Sequence, residues 1–289
     1  MDNRIGVYYG YFVDTEELLW EDYARRAKEA GAGCIEMSAL TVSALPAERQ
    51  RSLAALVRDL DMELTFADAL PPGCDFCSED PGERENASEH LLSHLVLAER
   101  MGVKKIGGIL QTQGKVFPAG IAFSREEKLK YAAEPLRRVG DRAAETGVTL
   151  GIEMVNRFEC PLLNTAEEGL RFIDTVGSEG VRLHLDTFHM NIEETDMAEA
   201  VRRAGNRLCH IHFAENDRQL PGSGHIDLEA ILRALHEIDY RGTIVIEAMT
   251  RPYGSFSDRL NIWRDTVKES VDRDLKVSVA YLKDLMAAI

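Results

Sequence analysis

Short β-branched runs alternate with longer amphipathic stretches along the whole chain, the pattern of repeated strand–helix units. Period-two apolar runs predict strands at 5–9, 34–37, 63–67, 104–110, 148–153, 181–186, 208–213 and 243–247. Helical periodicity predicts helices at 15–30, 46–60, 84–101, 124–146, 166–176, 197–204, 227–238 and 263–286. Pro46 suits a first helical turn, where its missing N–H has no helical partner. Ser124 with Glu127 three residues later has the form of a capping box. The predicted loop at 111–123 is long for a strand-to-helix connection, and such loops often serve as lids or binding loops.

Eight strands and eight helices with no compositional break predict one α/β domain over 1–289, a (β/α)8 barrel. A doubly wound open sheet is the competitor. It would place a glycine-rich phosphate loop after the first strand, where Tyr8, Tyr9, Gly10 and Tyr11 stand instead.

In a (β/α)8 barrel the C-terminal ends of the strands share one face, and that face carries the active site. Glu153, Asp186, His212 and Glu247 end the fifth to eighth strands, so they converge despite their separation in sequence. Three carboxylates and an imidazole around one point repel one another unless a cation joins them, and an oxygen-rich set suits Mn²⁺, Mg²⁺ or Co²⁺. His189, three residues past Asp186, is expected on a loop at the same face.

The formal charge of −15 disfavours nucleic acid and anionic membrane as partners, since phosphate-binding surfaces need clustered Lys and Arg. No apolar run approaches the roughly 20 residues of a membrane span. The N-terminal residues lack a signal-peptide pattern, and the five cysteines are odd in number and scattered, which together point to the cytoplasm. Cys74 and Cys77 form one CxxC, expected to be an ordinary reduced loop rather than a zinc site.

The strings GIEMVNRFE, HLDTFHMNIEE, HIHFAENDRQLPGSGHI and IVIEAM, with RPYGSFSDRLNIWRD near the C-terminus, closely resemble the ketose 3-epimerases of the D-tagatose and D-psicose type, in the xylose-isomerase-like superfamily of TIM barrels. The resemblance implies that Glu153, Asp186, His212 and Glu247 hold one divalent cation, usually Mn²⁺, with Glu153 and Glu247 also the acid/base pair. It implies inversion at C3 of a free ketose through a cis-enediolate. Glu159, His189 and Arg218 match positions that contact the sugar hydroxyls, and Tyr8 is expected at the pocket wall. Tyr11 and Trp263 are assigned to packing. Relatives are often homodimers or tetramers.

Three departures bear on the sugar rather than on the cation. Ala248 and Met249 stand where relatives commonly have Pro-Phe, QTQGKVF replaces a tryptophan-bearing loop, and Tyr8 replaces a frequent phenylalanine. An aldose–ketose or hydroxypyruvate-type isomerase on the same cation site is the alternative. An apurinic endonuclease would need a multi-metal site with more histidines and a basic groove, neither evident in the sequence. The intact Glu153 and Glu247 pair disfavours a non-catalytic barrel.

Overall fold

The structure, a computed structural model, describes residues 1–113, 124–253, 257–258 and 260–289. Its strands are β1 (Ile5–Tyr8), β2 (Cys34–Ser38), β3 (Glu63–Ala69), β4 (Lys105–Ile109), β5 (Thr149–Glu153), β6 (Val181–Asp186), β7 (Leu208–Phe213) and β8 (Ile244–Ile246). They pair in sequence order, all parallel, and β1 closes the ring on β8 through Ile5↔Ile244 and Val7↔Ile246. The expected (β/α)8 barrel is the fold observed, and no open-sheet edge remains.

The helices are α1 (Trp20–Glu29), α2 (Ala39–Ser43), α3 (Ala47–Asp59), α4 (Pro81–Met101), α5 (Arg125–Thr146), α6 (Ala166–Val176), α7 (Thr187–Glu193), α8 (Met197–Ala204), α9 (Leu228–Glu237) and α10 (Val271–Ala287). Their ends follow local capping chemistry. Asp80 accepts from Gly82 N at 2.8 Å, with Pro81 in the first turn of α4. A reciprocal capping box is complete at Thr165 and Glu168. At the predicted box, Ser124 Oγ accepts from Glu127 N at 3.3 Å. Pro46 stands one residue outside its helix, as the N-cap of α3.

Three predicted bounds change by three residues or more. α1 starts at Trp20 rather than at 15, and Thr15 Oγ1 instead bonds the Glu17 carbonyl at 2.7 Å in a local turn. α4 starts three residues earlier than predicted, at the Asp80 cap. The last helix does not begin at 263. Lys268 N and Glu269 N bond the Asp274 carboxylate, and Ser270 caps the helix that follows. Side-chain acceptors thus take the backbone donors that an earlier turn of helix would have used.

Each barrel strand is nearly continuous in burial, because helices cover the outside and side chains fill the inside. On α4 the fully buried stripe contains Ala87, Leu91, His94, Leu95 and Ala98, with His90 one turn before His94 and only slightly more exposed. No helix among the described residues is long and apolar enough to cross a membrane.

Candidate active site

Alternation along β6 and β7 places residues two apart on the same face, so His184 and Asp186, and His210 and His212, all look into the barrel. Asp186 is in register with His212, and Glu153 with His184. Glu247 follows β8 directly, its backbone N–H bonded to the Phe213 carbonyl at 3.1 Å. The result is a group of Glu153, Asp186, His212 and Glu247 whose ligand atoms all lie within 4.8 Å of one another. His212 Nδ1 is 2.7 Å from Glu247, 3.6 Å from Asp186 and 3.9 Å from Glu153.

The electrostatics follow from this crowding. A like-charged pair about 4 Å apart costs on the order of 4 kcal/mol at an effective dielectric of 20. Burial, then the neighbouring Glu247 and Asp186, hold the Glu153 carboxyl well above the ordinary range. Burial would raise Asp186 too, but Arg218 and His212 pull it well below. Burial opposes the charge on His212, yet Glu36 and Glu247 outweigh it and raise its pKa. Three carboxylates and one imidazole nitrogen facing a common point fit a hard divalent cation.

Arg218 lies across the group. Its guanidinium donates to Asp186 and, at 2.9 Å, to Glu247, while its charge rests 4.6 Å over the Phe188 ring. Its backbone is left-handed, φ 67°, and is tied on both sides: Arg218 N bonds Glu215 O at 3.0 Å, and Met249 N bonds Arg218 O at 2.7 Å. The buried Glu215 carboxylate holds this loop by accepting from Gly222 N and Ile226 N.

His189 lies not on a loop but in α7. That helix starts because Asp186 accepts from Phe188 N at 2.7 Å and serves as its N-cap. Asn156 fixes the tautomer. Its Oδ1 accepts from Phe158 N, so its Nδ2 must face Glu159 at 3.0 Å and His189 Nδ1 at 2.8 Å. An amide NH₂ can only donate, so His189 Nδ1 accepts and the proton stands on Nε2, which is 3.9 Å from Glu153. Burial keeps this imidazole neutral, its pKa lowered to about 3.

Tyr8 is near the group, its ring centroid 6.4 Å from that of His212. Tyr11 is core, its hydroxyl bonding Val271 O at 2.7 Å. Trp263 is 65% exposed, which corrects its assignment to packing; it lies in the segment that does not join the last helix. Cys74 and Cys77 are free and join none of the groups among the described residues that could hold a metal. Residues 114–123 of the predicted lid lie outside the described residues. Of the rest, Gln111 and Thr112 are buried, and Thr112 bonds Asp75 at 3.1 Å.

Two things escaped the sequence. One is Glu36 on β2, fully buried beneath the group, whose oxygens bond His210 Nε2 and His212 Nε2 at 2.7 Å each. Thr65 donates to the same carboxylate at 3.0 Å. Holding Nε2 leaves Nδ1 of His212 as the atom that could bind a metal, the arrangement by which a second carboxylate orients a metal-binding histidine. Gly107 makes room for this layer, since a Cβ there would stand 3.0 Å from both His184 and His210. The other is histidine clustering. His184, His210 and His212 form one further group that could hold a metal, and Asp68, His90 and His94 another. A carboxylate inside an apolar run, as in CIEM, is the signal that could have found Glu36.

Comparisons with known proteins agree with this geometry. Residues 24–273 match the family model described as xylose isomerase-like TIM barrel. The chain is 31% identical over 288 residues to a D-psicose 3-epimerase of Enterocloster bolteae, covering 97% of this chain and 95% of that one. It is 33% identical over 270 residues to an L-ribulose 3-epimerase of Mesorhizobium japonicum, covering 91% and 87%. Among solved structures, the D-psicose 3-epimerase of Clostridium cellulolyticum, determined with D-tagatose, superposes with a TM-score of 0.92 at 29% identity, covering 98% of this chain and 99% of that one. A barrel closed in sequence order, with acids and an imidazole at the ends of its last four strands and these likenesses over nearly its whole length, places the chain in the xylose isomerase-like TIM barrel family, among its ketose 3-epimerases.

Proposed function

We propose that the protein is a divalent-cation-dependent enzyme that inverts C3 of a free ketose of the D-tagatose, D-psicose, D-fructose or L-ribulose type. The observation that carries this reading is the convergence of Glu153, Asp186, His212 and Glu247 at one point of the strand-end face. A Mn²⁺ ion, with Mg²⁺ or Co²⁺ as alternatives, held by these four residues would supply Lewis-acid polarisation of the ketose carbonyl and neutralise their mutual repulsion.

Inverting a carbon beside a carbonyl requires taking its proton from one face and delivering a proton to the other. One base cannot serve both faces. Glu153 and Glu247 reach the site from strands separated by two others in the ring, and so can stand on different sides of a bound sugar. One carboxylate removes the C3 proton, leaving an enediolate across C2 and C3, and the other carboxyl returns a proton to C3. His189, with its proton on Nε2, donates to a sugar hydroxyl. Arg218 and Glu159 bind hydroxyls around C1 to C3, and Tyr8 forms the wall beside them. No phosphate-cradling glycine loop follows β1, which favours an unphosphorylated sugar.

A panel of free ketoses incubated with Mn²⁺, with products resolved by chromatography, tests the reading. C3 epimers are expected, with loss of turnover in chelator and exchange of the C3 proton with D₂O. Full turnover in exhaustive chelator overturns the cation dependence. Carbonyl migration without C3 inversion replaces the epimerase with an aldose–ketose isomerase.

A further inference from the structure

The group formed by Asp68, His90 and His94 has no part in the chemistry above. It shares no residue with the four-donor site and belongs to β3 and α4 rather than to β5–β8. His90 and His94 are four residues apart on α4, so both rings stand on its inward side, one turn apart, with centroids 4.2 Å from each other. They reach the same strand residue with different atoms. His90 Nε2 is 3.3 Å from Asp68 Oδ1, and His94 Nδ1 is 2.5 Å from Asp68 Oδ2. The Asp68 side chain is fully buried, that of His94 is 3% exposed, and that of His90 is 10% exposed.

Burying a carboxylate between a strand and a helix is costly unless a cation or several donors face it. Here two imidazoles face it, and all three ligand atoms lie within 4.8 Å of one another. Two histidines at i and i+4 on a helix, completed by a carboxylate from elsewhere, is a donor set that binds zinc. Ligands at about 2.0–2.2 Å around a tetrahedral ion stand about 3.4 Å apart. The His90–Asp68 separation already matches this, and His94 needs to open by about an ångström. The exposed edge of His90 gives an ion its entry and water a fourth position. The donor set is richer in nitrogen than the one at the strand ends, and so selects differently among divalent ions.

We propose that Asp68, His90 and His94 form a second, structural metal site that takes a zinc-class transition-metal ion and pins the C-terminal end of β3 to α4. The ion cross-links strand to helix at a point where the inward side of α4 otherwise carries mainly small and apolar side chains.

Counting zinc tests the site. Metal-free enzyme is dialysed against Zn²⁺, and the bound metal per chain is measured for the unaltered protein and for His90→Ala. The variant is expected to bind one equivalent fewer while keeping its far-UV circular dichroism and a cooperative melt. Equal zinc counts overturn the proposal. Should the variant not fold, the unaltered protein decides. With Mn²⁺ bound as the first equivalent and Zn²⁺ as the second, X-ray absorption at the zinc edge counts imidazoles. Two imidazoles per zinc support the site, whereas three, the number that His184, His210 and His212 would supply, overturn it. One or fewer, the number that His212 alone supplies to the strand-end group, overturns it.

Discussion

Glu36 and Glu153 are both sealed inside the barrel, 0% and 7% exposed, and their carboxyls move in opposite directions. Burial pushes each one up. Glu36 is nonetheless held well below the ordinary range because His210 and His212 face it, whereas Glu153 stays above that range because Glu247 and Asp186 face it. Depth in the barrel therefore does not decide whether a carboxylate is charged; the neighbours do. The lower glutamate is a fixed negative charge that orients an imidazole. The upper one holds its proton more tightly, which suits the acid/base role proposed for it.

The contrast breaks most visibly at the upper glutamates. Glu153→Gln or Glu247→Gln is expected to lower ketose turnover by several orders of magnitude, since each removes a group proposed to move the C3 proton. Wild-type-like rates in steady-state assays of either variant would eliminate the two-carboxylate scheme. Glu36→Gln should act more gently and on another quantity. It is expected to weaken Mn²⁺ binding by about 10- to 100-fold, the usual effect of losing a partner behind a histidine ligand. Turnover should largely recover at saturating Mn²⁺, as followed by calorimetric titration alongside kinetics. A collapse of kcat with Mn²⁺ affinity intact would make Glu36 a participant in the reaction rather than a fixed charge.

Substrate choice should be separable from both glutamates. Met249 is buried beside the Arg218 backbone where relatives commonly carry an aromatic, so Met249→Phe should change the ratio of kcat/KM among ketoses differing at C4 to C6. One apolar contact limits that change to about 10- to 200-fold. Mn²⁺ affinity should not move, and a variant that alters it without altering any substrate ratio would remove Met249 from the sugar pocket.

The smallest expected effect is on stability. Because the Glu153 pKa is raised on folding, the native state keeps a proton that the unfolded chain has already released above the ordinary value of 4.5. Between that value and the higher native one the unfolded state binds fewer protons, so this group costs stability as pH rises. Metal-free Glu153→Gln should therefore melt a few degrees above metal-free wild type at neutral pH. The two should converge below the ordinary glutamate range. Melting curves across pH check it, and a variant less stable than wild type at neutral pH would mean that Glu153 is ionised without cost.

The sequence carried the barrel and the four strand-end donors because both are written locally. Each strand is a short apolar run; Glu153 and Asp186 each close one, His212 stands one residue before the end of another, and Glu247 directly follows the last. Glu36 was not legible because its partners are 174 and 176 residues away and no local pattern joins them. Asp68 needs α4 to be placed before its two histidines mean anything. α7 was missed because its seven residues are too few for a periodic pattern and it depends on the Asp186 side chain for its start. The last helix was overextended because its apolar spacing continues past the point where Asp274 captures the backbone donors of Lys268 and Glu269.

β8 is only three residues long, yet it pairs with β7 on one side and with β1 on the other. A chain leaving the ribosome N-terminus first exposes Glu153, Asp186 and His212 well before Glu247. Until β8 emerges, the edges of β1 and β7 stay open, the kind of unpaired edge that invites aggregation. The fourth donor and the closing strand thus arrive together, within a few residues of translation. A fragment ending before β8 has neither the closed ring nor all four residues of the strand-end group. Such a fragment presents two open strand edges that the closed barrel does not.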